Sequence, residues 1–248
     1  MKKLLLFLAT LLSLHTLAQK RTGASGFYLE AVYQNMKVPD GKTYLKAVAD
    51  SLNLNGTIKI PSQMGIGAGM VFFIENFEWE MGFTIRPGSF NNGANTVSNS
   101  NTDAHMRISG FDLKTGLNFY LGKGPVFLGI LLNNGSYKWD LLVNSTDPSV
   151  PQKFQQVRDA TGTEGSNPWN IVDFSHERVL SFRLQAGVNL YFSKRSKTHL
   201  KLAPFYDIGS TKYNLYNASN QYLAAYGGPG KSKLRAFGLK MAILFGRN

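Results

Sequence analysis

The sequence predicts an all-β fold, an eight-stranded antiparallel up-and-down β-barrel. Eight segments alternate apolar and polar residues with the period of two that is typical of strands. Long and short connections alternate between these segments without exception, as expected for four hairpins built to one plan. The apolar side chains are too many and too large for the interior of a narrow barrel, so we expect them on its outside.

The chain opens with a segment typical of a secretory signal peptide. Two lysines precede an apolar run that begins at Leu4, and Ala18 completes a small-residue cleavage pattern. We therefore predict that residues 1–18 are removed and that residues 19–248 form one outer-membrane β-barrel domain.

The composition excludes several classes of protein. The 248 residues include no cysteine, so disulfide bonds, thiolate metal ligands and a lipid-modified cysteine are all excluded. Beyond the first segment no apolar run reaches about 18 residues, which excludes a helical membrane protein. The net charge of +12 suits anionic lipid phosphates or an acidic partner.

The strands repeat one pattern at the end of each hairpin. Near the end of every even-numbered strand, a glycine is followed by apolar residues at alternate positions. Examples are Gly116-Leu-Asn-Phe-Tyr-Leu121 and Gly187-Val-Asn-Leu-Tyr-Phe192. The long connections are rich in Asn, Ser, Gly and Pro and are expected to be exposed and mobile. The predicted strands cover residues 26–36, 63–74, 77–87, 106–121, 125–143, 176–192, 199–211 and 233–246, and the long connections cover 37–62, 88–105, 144–175 and 212–232.

The fifth strand, residues 125–143, changes its apolar parity halfway. Leu132 and the residues before it set one parity, whereas Tyr137 and Trp139 set the other. A β-bulge near Asn133 would absorb one residue and preserve eight strands. A tight turn at Asn134-Gly135 is the alternative and would raise the strand count.

The two faces of the strands decide where the protein resides. In FEWEMGFTIR, residues 77–86, aromatic and aliphatic side chains occupy one face, and Glu78, Glu80 and Arg86 lie on the other. With the apolar face outside, glycines and paired charges fill the lumen; with it inside, the chain would be a soluble lipocalin-like carrier. We predict the first arrangement, with a lumen charge network of Glu30, Glu78, Glu80, Arg86, Asp112, Lys114, Arg183, Lys201, Asp207 and Lys240.

Strands of about ten residues with an outward apolar face, short turns at one end and long loops at the other are typical of transmembrane outer-membrane barrels. The chain resembles the small outer-membrane β-barrel proteins of OmpA/OmpX type. Its length, basic charge and Gly-apolar-Asn-apolar-Tyr strand ends are similar to the outer membrane β-barrel domain, or PorT-like, proteins of the Bacteroidota. The resemblance covers the chain from about Gly26 to its end and implies a Gram-negative outer membrane, with both termini periplasmic.

The leading hypothesis is a structural or surface-interaction role for a closed barrel, with no enzymatic activity and no cofactor. The alternative is a narrow pore or an accessory component of transport or protein secretion, as a PorT-like resemblance implies. A lipid-A-modifying enzyme is a remote hypothesis, with His105 and His176 at the loop-facing strand ends as its only candidate residues. The histidines show no metal-ligand spacing.

The expected partners are outer-membrane lipid and lipopolysaccharide, and the aromatic residues of the long loops suit a protein or glycan partner. No nucleic acid is expected, because no basic and aromatic face lies outside the membrane. Basic residues near the outer rim are candidate contacts for lipopolysaccharide phosphates, namely Arg107, Lys231, Lys233 and Arg235.

Overall fold

A computed structural model describes residues 25–88, 96–122, 124–146, 170–192, 198–217 and 230–246. The predicted signal peptide and much of three long connections lie outside the described residues. The elements are β1 (Ser25–Lys37), α1 (Pro39–Ser51), β2 (Gln63–Ile74), β3 (Phe77–Arg86), β4 (Val97–Ser98), β5 (Thr102–Tyr120), β6 (Val126–Ser145), β7 (Asn170–Tyr191), β8 (Thr198–Asn217) and β9 (Gly230–Gly246).

Eight of these strands form a closed antiparallel ring. The order is β3-β2-β1-β9-β8-β7-β6-β5, and the pairing of β3 with β5 completes the circle. The first and last strands pair from Gly26 opposite Gly246 to Lys37 opposite Arg235. The two-residue strand β4 pairs only with β5. The predicted eight-stranded up-and-down barrel is confirmed.

The wall of the barrel is uneven in height. Strands β2 and β3 have 12 and 10 residues, and their predicted limits agree with the structure to within one residue. Strands β5 to β8 have 19 to 22 residues and extend beyond the predicted limits at the end away from the short turns. The prediction followed the outward apolar alternation, which stops before the hydrogen-bonded strands do.

Strand β6 contains neither the predicted bulge near Asn133 nor the alternative tight turn. Its pairing with β5 is unbroken from Phe127 opposite Tyr120 to Ser145 opposite Thr102. A register shift occurs only against β7, between Leu141 and Leu142. The parity change has another cause: the inward face, polar at mid-barrel, becomes apolar higher up. The change from polar to apolar inward side chains along β6 therefore produced the same sequence pattern as a β-bulge.

The connection 37–62 contains helix α1, which the sequence analysis did not predict. Leu45, Val48, Ala49 and Leu52 follow the i, i+3, i+4, i+7 spacing of a helical apolar face, and all four are buried. The helix begins with Pro39 in its first turn and ends before Asn53, whose φ of 53° is left-handed. The expectation of a wholly exposed connection is therefore wrong.

Among the described residues, no helix is long and apolar enough to cross a membrane.

Glycines on the inward face allow neighbouring strands and rings to approach closely. A Cβ atom at Gly187 would collide with the Phe127 ring and the Leu202 carbonyl oxygen, and one at Gly116 would collide with the backbone of Ile130 and Leu131. These collisions involve backbone or a fully buried ring, so they cannot be relieved by a simple side-chain rotation.

We expect Gly187→Leu to lower the free energy of unfolding by at least about 2 kcal/mol, because the added side chain has no space in the lumen. The yield of folded protein on unboiled SDS gels and a urea titration would measure this loss. The matched control is Ala186→Leu, one residue away on the exposed face, which should fold normally. Equal damage from both substitutions would contradict the assignment of the faces.

Candidate functional site: the charged lumen

The exterior of the barrel carries a band of exposed apolar side chains. Within FEWEMGFTIR, Trp79 and Phe83 are 42% and 44% exposed, while Glu78 and Glu80 are 0% and 1% exposed. The alternation on the other strands has the same sense. The band includes Phe27, Leu29, Tyr33, Ile66, Met70, Phe77, Ile85, Phe111, Leu113, Leu117, Phe119, Leu128, Ile130, Leu180, Phe182, Leu184, Ile208, Phe237, Leu239, Met241 and Ile243.

Inside the barrel, all ten residues predicted for the lumen charge network are buried. Six of them meet in one cluster around Glu80. The Glu80 carboxylate accepts hydrogen bonds from Lys240 at 2.6 Å and Lys201 at 2.9 Å, and the Lys114 ammonium group lies 3.9 Å away. Lys114 also donates to Glu30, and Lys201 donates to Glu78. Three acids and three lysines therefore neutralise one another across the lumen.

Neutral side chains satisfy the remaining carboxylate oxygen atoms of this cluster. Thr84 donates to Glu30 at 2.5 Å. The Asn118 amide donates to Glu78 at 2.7 Å and to Glu80 at 3.1 Å. Buried carboxylates without such donors would be strongly destabilising. The polar residues are therefore as necessary to the cluster as the lysines.

The other four predicted residues form two separate pairs. Arg183 donates to Asp207 through Nε at 2.8 Å and through a terminal nitrogen atom at 2.9 Å, and its guanidinium lies 3.6 Å from the centre of the Phe205 ring. Arg86 pairs with Asp112 and also donates to Gln34 at 3.0 Å. Each arginine and its carboxylate lie on different strands, so both pairs brace the wall.

An apolar floor closes the lumen at the end with the short turns. The Phe127 ring packs against the Tyr120 ring, with their centres 5.5 Å apart. The Tyr120 hydroxyl donates to Glu78 at 2.6 Å, and the Lys201 ammonium group lies 4.6 Å from the centre of the Phe127 ring. The floor consists of Tyr28, Val71, Phe73, Tyr120, Phe127, Ala203, Ala242 and Leu244.

Helix α1 closes the opposite end of the lumen. Its buried residues form one apolar cluster with inward side chains of β1, β5, β6, β7 and β9. Tyr137 marks the lower boundary of this cluster, because its hydroxyl reaches down to Asp112. The strand residues of the cluster are Met36, Ala104, Met106, Ile108, Tyr137, Trp139, Leu141, Val143, Val179, Leu234 and Ala236.

The lumen thus has three layers: an apolar floor, a charged middle and an apolar ceiling that includes α1. The five acids and five bases of the middle layer balance in charge and are shielded at both ends. This arrangement differs from the lipocalin-like alternative, in which the apolar face of the strands would line the interior.

The four predicted lipopolysaccharide contacts do not form one group. Arg107 lies on β5, which is diametrically opposite β9 in the ring, and it donates to Asp140 at 2.8 Å. Lys231, Lys233 and Arg235 share β9. The prediction grouped these residues by their height along the strands. Their positions around the ring depend on the strand order, which the sequence analysis did not determine.

The structure adds three basic residues that the sequence analysis missed. Lys37 lies opposite Arg235, and Lys212 lies opposite both Arg178 and Lys231. The exposed bases on β7, β8, β9 and β1 are named here the basic belt, which comprises Lys37, Arg178, Lys212, Lys233 and Arg235.

The two histidines whose side chains are described, His105 and His199, lie near opposite ends of the barrel. His105 is buried near the outer end of β5, and burial, with a smaller effect of Arg107, lowers its pKa. His199 is on β8 at the floor end, far from His105, and the side chain of His176 lies outside the described set. Among the described residues, no group of three or more potential ligands is suited to a metal ion.

Comparisons with known proteins return solved structures only. No family model matches the sequence, and no curated protein matches it. The chain is similar to the outer membrane protein OprG from Pseudomonas aeruginosa (8% identity, 92% of this chain and 98% of that chain, TM-score 0.40). It is also similar to Neisserial surface protein A (15% identity, 90% of this chain and 98% of that chain, TM-score 0.38). A third similar structure is Ail, the attachment invasion locus protein of Yersinia pestis (10% identity, 90% of this chain and 99% of that chain, TM-score 0.39). The fold assignment rests on the strand pairing and the two faces described above.

We expect Glu80→Gln to lower the free energy of unfolding by about 3–5 kcal/mol, because it leaves buried lysines without their shared carboxylate. Urea titration in lipid vesicles would measure the change. Adding Lys240→Met should restore part of the loss by restoring charge balance.

The control for this test is Asp50→Asn, which breaks an exposed ion pair with Lys46 on α1. That substitution should change the free energy of unfolding by less than about 1 kcal/mol. If Glu80→Gln and Asp50→Asn had equally small effects, the lumen network would not stabilise the barrel.

Proposed function

We propose that the protein is an integral outer-membrane β-barrel of a Gram-negative bacterium, with a sealed lumen and a structural or surface-interaction role. The observation that carries the proposal is the inversion of the two faces. Charged side chains such as Glu80 and Arg86 are buried, whereas Phe83 and Ile85 between them along β3 are 44% and 47% exposed. Such a surface is stable where the surrounding solvent is hydrocarbon.

The shape of the barrel supports an orientation in the membrane. Short turns join β2 to β3 and β5 to β6, and both described chain ends lie at the same end as these turns. In barrels of this type, short turns face the periplasm and long loops face outward. The tall wall formed by β5 to β8, together with α1, would then project from the cell as the surface available to a protein or glycan partner.

The sealed lumen favours this role over the two alternatives. A narrow pore, or a PorT-like accessory of transport or secretion, would need a route past the charged middle layer. A lipid-A-modifying enzyme would need a nucleophile and a base facing the lipid. The described lipid-facing side chains are mainly aliphatic and aromatic.

The membrane assignment is tested by isolating the outer-membrane fraction and running the protein on SDS gels with and without boiling. We expect the full-length protein to be in this fraction and to migrate faster before boiling, because a closed hydrogen-bonded ring resists SDS. Recovery as a soluble periplasmic protein without a heat-dependent shift would refute the proposal.

The sealed lumen is tested by conductance in planar lipid bilayers. We expect no steady openings from the natural chain. We also expect none after residues 39–61 are replaced by a short Gly-Ser linker, because the charged layer and the floor remain. Steady openings of the natural chain would favour the pore, and openings only in the shortened chain would make α1 the sole barrier.

A further inference from the structure

The outer rim of the barrel differs in charge between its two sides. On β5 and β6, Asp140 pairs with Arg107 at 2.8 Å and with Lys138 at 3.1 Å, so charges of both signs are present. On β7, β8, β9 and β1, the exposed charged side chains that the structure describes at this height are the five of the basic belt. Glu30 and Asp207, the acids of these four strands whose side chains the structure describes, are buried in the lumen. The side chains of Asp173 and Glu177 on β7 lie outside the described set.

Members of the basic belt face one another directly. Arg235 is the register partner of Lys37, and Arg178 is the register partner of Lys212. Like charges on opposed residues of one sheet face repel and destabilise the pairing. Within the described residues, none of the five forms an ion pair with an acid. An anion between the strands would remove this repulsion.

The belt lies at the edge of the apolar band. Arg235 is opposite Ile208 and two residues from Phe237, while Arg178 is two residues from Leu180. Ile208, Phe237 and Leu180 are 48%, 50% and 52% exposed. A step of two residues along a strand is about 7 Å, so the charged groups lie where lipid headgroups begin.

The belt has the width and the polar neighbours of a headgroup site. It crosses four adjacent strands, which corresponds to about 15 Å between the outermost pair. Beside Lys37, the Ser62 hydroxyl accepts hydrogen bonds from the Tyr33 hydroxyl at 3.0 Å and from the Asn35 amide at 3.3 Å. These uncharged groups provide partners for sugar hydroxyls next to the cations.

We propose that the basic belt is a binding site for lipid A, whose phosphate groups lie between the opposed cations of β7, β8, β9 and β1. The proposal rests on the outer-membrane location proposed above. It restricts the site to one side of the barrel and excludes Arg107, which already forms an ion pair with Asp140. Lysine and arginine near a membrane surface each contribute to the binding of anionic lipid.

The test uses the mature chain folded into nanodiscs of phosphatidylcholine with a minor fraction of bisphosphorylated lipid A. Native mass spectrometry of the released barrel measures how much lipid A remains bound. The belt variant combines Lys233→Gln with Arg235→Gln. The control variant combines Lys42→Gln with Lys59→Gln, which removes the same charge from exposed positions of the connection 37–62.

We expect the natural chain to retain lipid A in preference to phosphatidylcholine, and dephosphorylated lipid A to lose this preference. The belt variant should bind lipid A more weakly by about fivefold for each charge removed, and the control variant should not change. The preference should also weaken as salt is added.

Equal retention of phosphorylated and dephosphorylated lipid A, or equal loss in the belt and control variants, would overturn the proposal. Full displacement by inorganic phosphate would overturn the assignment to a lipid. A chain that inserts into nanodiscs and shows heat-dependent migration on SDS gels, but has no preference for phosphorylated lipid A, would refute only the proposed lipid A site. A chain that does not insert would refute the proposed function.

Discussion

The barrel depends on the neutralisation of charge around Glu80. This one carboxylate on β3 interacts with a lysine on the neighbouring strand β5 and with lysines on β8 and β9, which are not neighbours of β3 in the ring. Its partner Lys240 is 160 residues away along the chain. A lumen filled with aliphatic side chains would not distinguish one strand arrangement from another, whereas each of these charges must meet its partner. The network therefore selects the closed ring.

Apolar layers lie above and below the network. Lower effective permittivity strengthens the attraction between lysine and carboxylate, and it makes any unpaired member of the cluster more costly. The Phe127 and Tyr28 rings of the floor lie against lysine ammonium groups, with 4.6 Å and 5.4 Å between the nitrogen atoms and the ring centres. The aromatic floor thus both excludes water and stabilises cations. At the other end of the lumen, helix α1 contributes apolar side chains that would exclude water.

Much of this architecture could be predicted from the sequence, because an apolar exterior and a polar lumen impose a strict period of two. That period placed all ten network residues on the inward face. The period was misleading where the environment of the inward face changed along a strand. Tyr137 and Trp139 point inward into an apolar layer, so their apolar character was interpreted as a β-bulge. Helix α1 was missed although Leu45, Val48, Ala49 and Leu52 carry a helical signal, since Pro39 and Gly41 resemble a turn. The position of Arg107 around the ring required the strand pairing.

The pairing of β1 with β9 makes the ring continuous, with the described ends Ser25 and Gly246 side by side. Its register runs over twelve positions, as regularly as that of any hairpin in the barrel. The pair formed by β1 and β9 is therefore structurally equivalent to the other strand pairs of the ring. Circular permutants that join the old ends and open a long connection would keep every strand pair and every lumen charge.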